Sequence, residues 1–391
     1  MSQKYDVIIV GGGVMGCATA YYLMKNEPAL KVIIIEKDPS YTYCSTLLSD
    51  GNHRVQFNLK ENIQISQYGL QVLETFAEDM AVGDNRPEVA FRQQGNLFLV
   101  DAAGRTEAEQ GLALQKSLGC QVEWLTPEDI AHRYPLLHPQ NIVGGTFGRQ
   151  DGTMDTYPVL MGYKNKAIAL GAKYLAGEVS QLRQANGRVS GVILSTGEKL
   201  DAPVVVNGAG AWANLLMETI GVPIPVQPVK REVYVIETEA RPQGIMPGVF
   251  FPSGLYIFHE REGHFMVGKS FEDDPVAFEF SWNRQRFEDR LWEELVEHIP
   301  SFERLKVVRG WAGLYEVNTL DDNAILGEHP LCPGIYLANG FSGHGFQQCH
   351  AVGRYLSELI LGKPLSLDLS IFSPQRILDN KPVFESAARI I

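Results

Sequence analysis

Residues 5–37 read YDVIIVGGGVMGCATAYYLMKNEPALKVIIIEK, and no other stretch so narrows what this chain can fold into. A β-branched run at 7–10 meets a turn in which Gly11, Gly13 and Gly16 stand in GxGxxG register, and a helix-like segment follows to about Lys25. Strand, glycine turn and helix in that order put the free amides of a helix start where phosphates bind. Gly11 permits the sharp turn, Gly13 lets a pyrophosphate approach the backbone, and Gly16 lets the helix lie close on the strand. A second apolar run, 32–35, ends in Glu36, about 20 residues past the last glycine, where a carboxylate accepts hydrogen bonds from an adenosine ribose. An acid there disfavours a 2′-phosphate, so the expected ligand is an ADP-containing dinucleotide, FAD or NAD rather than NADP.

Two other readings of this run compete. The uncharged stretch 7–24 follows Lys4 and resembles a signal peptide or membrane span, and Met15-Gly16-Cys17 loosely matches a lipoprotein cleavage site. Three consecutive glycines argue against a spanning helix, and the following strand with its terminal acid favours the dinucleotide. With the run assigned to the fold, no targeting or transmembrane segment is expected, and cytoplasm is the default location. A net charge of −12 and the lack of any long basic run exclude a nucleic-acid binder. Cys17, Cys44, Cys120, Cys332 and Cys349 form no CxxC pair, which argues against zinc or a disulfide framework and suits a reducing compartment. No metal site is expected.

A chain of 391 residues has room for two domains. After Glu36 a small-residue loop precedes a helical period in ENIQISQYGLQVLETFAEDM, and from about Pro87 strand-like runs alternate with a helical piece at 106–118. A helix is expected at 157–170, capped by Asp155 or Thr156, and AKYLAGEVSQL with GRVSGVILSTG reads as a hairpin-rich layer. In APVVVNGAGAWANLLMETIG, Gly208, Gly210 and Ala213 again match the glycine pattern, with Glu232 downstream. Three prolines before Glu232, and its place near the start of its run, favour a second parallel strand abutting the first site over a second dinucleotide site. Antiparallel strands are expected over 229–268, a helix at 282–298, and a third buried strand in GIYLANG before FSGHGFQQCHAVGRYLSELILG. The dinucleotide domain is thus assembled from 1–86, 145–222 and 307–391, and a substrate domain from 87–144 and 223–306.

The blocks DVIIVGGGVMGCATAYYL, CSTLLSDG, DGTMD, VVVNGAGAWA, GWAGLYEVNTLDDNAILG and NGFSGHGFQQCHAVGR together resemble the FAD-dependent amine and amino-acid oxidoreductases of the D-amino-acid oxidase, glycine oxidase and sarcosine oxidase group. STLLSDG, NLKENIQIS, WAGLYEVNT and FSGHGFQQ are similar to a mitochondrial branch of that group linked to assembly of respiratory complex I. The resemblance implies an α/β fold, α+β overall, in which a Rossmann-like FAD-binding domain of glutathione-reductase type is interleaved with an antiparallel-sheet substrate domain. By position it implies that Gly11, Gly13, Val14 and Gly16 hold the pyrophosphate and that Glu36 and Lys37 stand at the ribose. Ser45 and Thr46 would reach the phosphates, Val179 would meet the adenine, and Ala209 and Gly210 would line the same groove. Gly51, His53, Gly313 and Phe346 complete the cofactor set with Gly340, Ser342, Gly343, His344 and Gly345, the last five approaching the flavin ring. A helix start there would stabilise the negative charge of a reduced flavin.

Three departures from the family pattern bear on the reaction. Tyr315 replaces the arginine that clamps a substrate carboxylate in glycine oxidases, and a phenol cannot form a bidentate ion pair. Gln347 replaces a sarcosine-oxidase lysine, and Met266 stands where those enzymes place an oxygen-activating lysine. The WAGLYE block offers no cysteine for flavin attachment, so FAD is expected to be noncovalent. Arg54 remains as the cation for a carboxylate, Tyr256 is a candidate pocket hydroxyl, and His53 and His344 are expected near the ring. His259, His264, His298 and His329 are expected to be solvated, and Asp321-Asp322-Asn323 to be a plain turn. The expected activity is oxidation of a C–N bond of an amine or amino acid, secondary amines included, by hydride transfer to FAD and hydrolysis of the imine. A dehydrogenase fits better than a fast oxidase; the acceptor, whether oxygen, quinone or a carrier protein, is left open. The other readings are an FAD-binding assembly or interaction factor with little turnover, and an NAD-linked dehydrogenase.

Overall fold

Valine and isoleucine fill both the strand before the glycine turn and the strand after its helix, and a β-strand sends successive side chains to opposite faces. In the computed structural model, which describes residues 3–385, Val7–Val10 and Val32–Glu36 lie parallel, with Val7 opposite Val32 and Val10 opposite Ile35. Val7, Ile9, Val32 and Ile34 pack to one side, and Ile8, Val10, Ile33 and Ile35 to the other. Both faces are buried, which is why neither strand alternates with polar residues.

Val204–Asn207 pairs with the other edge of Val7–Val10, and Ile335–Asn339 follows it, both parallel. Antiparallel Ile325–Glu328 and, at the opposite edge, parallel Lys173–Ala176 complete six strands. Helices Val14–Asn26, Thr156–Ala169 and Gly345–Ile360 cover one face. Gly353 lets two of them touch through their backbones, since a Cβ there would stand 2.8 Å from the Ala18 carbonyl carbon. A four-stranded sheet covers the other face, its hairpin formed by Val179–Ala185 and Arg188–Leu194. The segment AKYLAGEVSQL, expected to be one strand of that layer, therefore divides: Gly177 donates to the Glu36 carbonyl at 2.9 Å and the chain changes sheet.

The second body is an eight-stranded, largely antiparallel sheet that includes Asn96–Asp101, Ile142–Gly148, Gly248–Phe250 and Tyr256–Arg261. Its longest pair joins Val226–Thr238 to Leu305–Asn318, so membership of this sheet runs to Asn318. Period two again sorts the side chains. Leu97, Leu99, Val249, Ile257, Phe265 and Val267 enter a core with the helical segment that closes this body, whereas Phe98, Phe250, Tyr256 and Phe258 form a separate aromatic cluster on the opposite face. The expected helix at 282–298 is two helices, Arg284–Arg290 and Trp292–His298. The chain re-aims at Leu291 (φ −118°), and Phe287, Leu291, Leu295 and Ile299 all reach the same core.

Asp321 lies in the turn expected there, and its carboxylate is buried in an ion pair. Arg376 donates from Nε to Asp321 Oδ2 at 3.0 Å and from Nη2 to Oδ1 at 2.9 Å, and both side chains are buried. Asn318 Nδ2 and the Val383 amide donate to the same carboxylate at 2.7 and 2.9 Å, so one ion pair ties the loop after Asn318 to the C-terminal segment. Arg376→Ala leaves that carboxylate buried without its cation and is expected to lower the unfolding free energy by about 3–5 kcal/mol. Denaturant titration of the two proteins measures it, and a loss below about 1 kcal/mol would place the pair among weak surface-like contacts.

Candidate functional site

The carboxyl ends of the parallel strands converge on one cavity of about 580 Å³, within the range of small-molecule and cofactor sites. Its floor is the first glycine turn. Gly11 has φ +100° and donates to the Ile35 carbonyl at 2.9 Å; a Cβ there would stand 2.2 Å from the Gly208 carbonyl oxygen. The two glycine turns are therefore in backbone contact, and only glycine at position 11 permits it. Gly16 is pressed as closely, with a Cβ 2.0 Å from the Gly11 carbonyl oxygen. Gly16 accordingly packs helix on strand and does not line the cavity, whereas Gly11, Gly13 and Val14 do.

Helix Val14–Asn26 begins after Gly13 without a side-chain cap, leaving its start directed at the cavity. Thr46 Oγ1 accepts from the Val14 amide at 3.2 Å, and the Ser45 hydroxyl donates to the Leu314 carbonyl at 2.8 Å. Glu36 lines the cavity at the end of its strand, held by amides of Gly12 (2.6 Å) and Asp38 (2.8 Å). Lys37 lies over the Trp212 ring with Nζ 3.1 Å from its centroid, and burial lowers its pKa. Val179, Ala209 and Gly210 line the same wall. Glu232 lies elsewhere, bonded to the Tyr234 hydroxyl and the Asn283 amide, so the second glycine turn carries no acid of its own.

The cavity continues to the aromatic face of the eight-stranded sheet, where the buried Phe250, Tyr256 and Phe258 line it with Gly313, Tyr315 and Gln347. Arg54 enters from the loop side, 3 % exposed, with its guanidinium 4.6 Å from the Phe57 centroid and 5.2 Å from that of Phe98. Its Nη2 is 3.0 Å from His344 Nε2, and its amide donates to Gln347 Oε1 at 2.7 Å. Burial pushes the guanidinium down to about 10. Burial and that neighbouring cation push His344 down to about 3, so the imidazole is neutral and accepts through Nε2. Gly343, with φ +98°, gives way to the Tyr315 ring, which a Cβ would approach to 2.5 Å. Gly345 and Phe346 line the cavity at the start of helix Gly345–Ile360.

Several expected site residues stand behind the wall. The His53 ring turns away to the Ser66 carbonyl (3.1 Å) and Phe91, because its neighbour Arg54 takes the cavity side of the extended chain. Gly51 passes Met154, where a Cβ would be 2.1 Å from the carbonyl oxygen. Gly340 donates to Glu316 Oε2 at 3.2 Å, and Ser342 (φ +48°) accepts the Asn318 amide at 3.0 Å; both shape the turn from behind. His259 and His329, expected to be solvated, are buried: His259 accepts the Met246 amide at 3.2 Å and stacks on Phe265, and His329 accepts the Leu331 amide at 3.2 Å.

Sequence reasoning missed Asp50, Glu316, Arg231, Phe250, Phe258 and Trp212, all of which line the cavity. Alternation along 248–258 would have revealed the two phenylalanines. Nothing in the loop marks Asp50. Burial raises Glu316 to about 8. Among the described residues no group of His, Cys, Asp and Glu is placed to hold a metal, no helix is long and apolar enough to cross a membrane, and all five cysteines are free.

A glycine floor in which Cβ atoms would collide, a helix start and a strand-end acid fit a dinucleotide diphosphate and ribose. Residues 6–359 match the model of the family described as FAD dependent oxidoreductase. The chain is 34 % identical over 421 aligned residues to FAD-dependent oxidoreductase domain-containing protein 1 of Xenopus laevis, covering 98 % of this chain and 84 % of that one. It is 26 % identical to glycine oxidase of Geobacillus kaustophilus, covering 96 % and 98 % of the two chains. The crystal structure of L-proline dehydrogenase from P. horikoshii superposes with a TM-score of 0.86 at 26 % identity, covering 98 % of this chain and all of that one. The chain belongs to the FAD-dependent oxidoreductases of this family, and its cofactor is FAD.

Proposed function

We propose that the protein oxidises a C–N bond of a small amine or amino acid that carries a carboxylate, acting as a dehydrogenase. The buried guanidinium of Arg54 in the cavity wall carries this reading. A cation held in a desolvated, aromatic-lined chamber is a strong anchor for a carboxylate. Phe57 and Phe98 fix its plane, and neutral His344 accepts one of its N–H groups without competing as a cation. Bound FAD supplies the acceptor for a hydride from the carbon beside nitrogen. Phe250, Phe258 and Tyr256, continuous with the Phe98 ring on which Arg54 packs, form an aromatic wall that excludes water, and the start of helix Gly345–Ile360 turns its positive end to the chamber.

Three features support noncovalent FAD and slow use of oxygen. Strand Leu305–Asn318 carries neither cysteine nor histidine. Among the described residues, the one lysine lining the cavity is Lys37, which is engaged over Trp212. Met266 packs against the aromatic cluster of the sheet, where sarcosine oxidases are expected to present a lysine.

Anaerobic mixing of the holoprotein with secondary amines, N-methyl amino acids and α-amino acids is expected to bleach the flavin with at least one of them, and air is expected to restore the colour slowly. Retention of FAD with no bleaching by any compound would favour a binding or assembly role. Arg54→Ala is expected to weaken binding of a carboxylate-bearing substrate by roughly 10- to 100-fold, the worth of one charged hydrogen-bonded contact, with FAD content unchanged. Unchanged affinity would remove Arg54 from the site.

A further inference from the structure

Asp50 lines the same chamber as Arg54, Tyr256 and Tyr315. Its Oδ1 is buried without a hydrogen-bond partner, while the Tyr256 phenol, in the same chamber, favours the ionised carboxyl. That phenol is fixed from behind by Gly268, where a Cβ would stand 2.3 Å from the hydroxyl oxygen. A buried carboxylate oxygen with nothing to accept from is costly, and folded proteins keep such an atom where a ligand completes it.

The surrounding charges show what kind of ligand that is. Arg231 is engaged by Asp274 and lies 5.6 Å over the Tyr315 ring. Arg54, whose His344 partner is neutral, keeps its charge for the carboxylate end of a ligand. Glu260 is a second negative charge that raises the Asp50 pKa, and Glu316 is a further carboxyl lining the cavity, raised to about 8 by its burial. Tyr256 and Tyr315 are both held protonated by burial. The chamber thus offers an anion to the occupant beside Asp50, within aromatic walls that also favour a cation.

On the amine reading above, we propose that Asp50 binds the substrate's ammonium group and takes its proton. In that step an N–H bond breaks, an O–H bond forms on Oδ1, and the electron pair stays on nitrogen. An ammonium cannot lose hydride from its neighbouring carbon; the free amine can, because its lone pair stabilises the carbon that becomes electron-poor. The substrate class is therefore a zwitterion, with its carboxylate on Arg54 and its nitrogen on Asp50. Burial, opposed by the Tyr256 phenol, raises the Asp50 carboxyl to about 6, low enough to be ionised at neutral pH and close enough to it to hold a transferred proton.

The test needs no turnover. Benzoate, a carboxylate without nitrogen, is titrated into oxidised holoprotein and its binding read from the flavin absorbance between pH 5 and 7, below the range in which Glu316 titrates. Wild-type affinity is expected to fall by up to about tenfold across that window as Asp50 ionises, and Asp50→Asn, of nearly the same volume, is expected to bind with little pH dependence. The same fall in both proteins overturns the assignment of Asp50. No binding to either protein at pH 5 overturns the carboxylate site on which the proposal rests. For an amine that bleaches the flavin, Asp50→Asn is expected to slow flavin reduction about 10²- to 10⁴-fold at pH 7 and to recover as pH approaches the pKa of the amine itself. A uniform loss at every pH, with FAD retained, would mark a structural role and contradict the proposal.

Discussion

Backbone contact between the turns at Gly11 and Gly208 is the constraint on which the rest depends. Each turn ends a parallel strand, and adjacent parallel strands bring their carboxyl ends to the same edge. With 2.2 Å between a Cβ at position 11 and the Gly208 carbonyl oxygen, a side chain would drive the strands apart or tilt the following helix. Glycine keeps the helix start and the carboxylate of Glu36, which the Gly12 amide holds, within reach of one ligand. The cofactor family follows from that geometry more than from any single side chain.

The reacting end of the cavity has a different origin. In the eight-stranded sheet, one set of alternate side chains enters a core beneath helices, and of the other set, Phe250, Tyr256 and Phe258 are left to line the chamber with Phe98 packed behind them. Those rings lower the local dielectric, which strengthens the charge of Arg54 toward a ligand and raises the cost of leaving Asp50 unaccompanied. Arg54 and Asp50 come from one short loop between the two sheets. The ADP cradle and the chamber are therefore joined by a segment with almost no regular structure.

Much of the dinucleotide side could be read from residue order, because its signal is local. Strand, glycine turn, helix, strand and acid occur within residues 5–37, and the second buried strand, Val204–Asn207, carries a valine run of the same kind. The chamber was less legible because its contacts are distant in sequence: Arg54 meets His344 and Gln347 across 290 and 293 residues. In the pair His53-Arg54, only the register of the extended chain decides which side chain faces the ligand, and composition is silent about register. His259 and His329 misled for a related reason, since backbone amides satisfy them locally and such partners leave no trace in spacing. The break at Leu291 also lacked a glycine or proline to announce it.

Most of the cofactor affinity should reside in the ADP half, held by the glycine floor, the start of the first helix and Glu36. The most direct measurement is a comparison of FAD and FMN binding to the apoprotein by flavin fluorescence, since FMN keeps the ring and one phosphate but lacks the adenosine. FAD is expected to bind at least about 100-fold more tightly, a difference of about 2.7 kcal/mol or more. Equal affinities would mean that the ring end holds the cofactor, and would contradict a cofactor-holding role for the turns at Gly11 and Gly208.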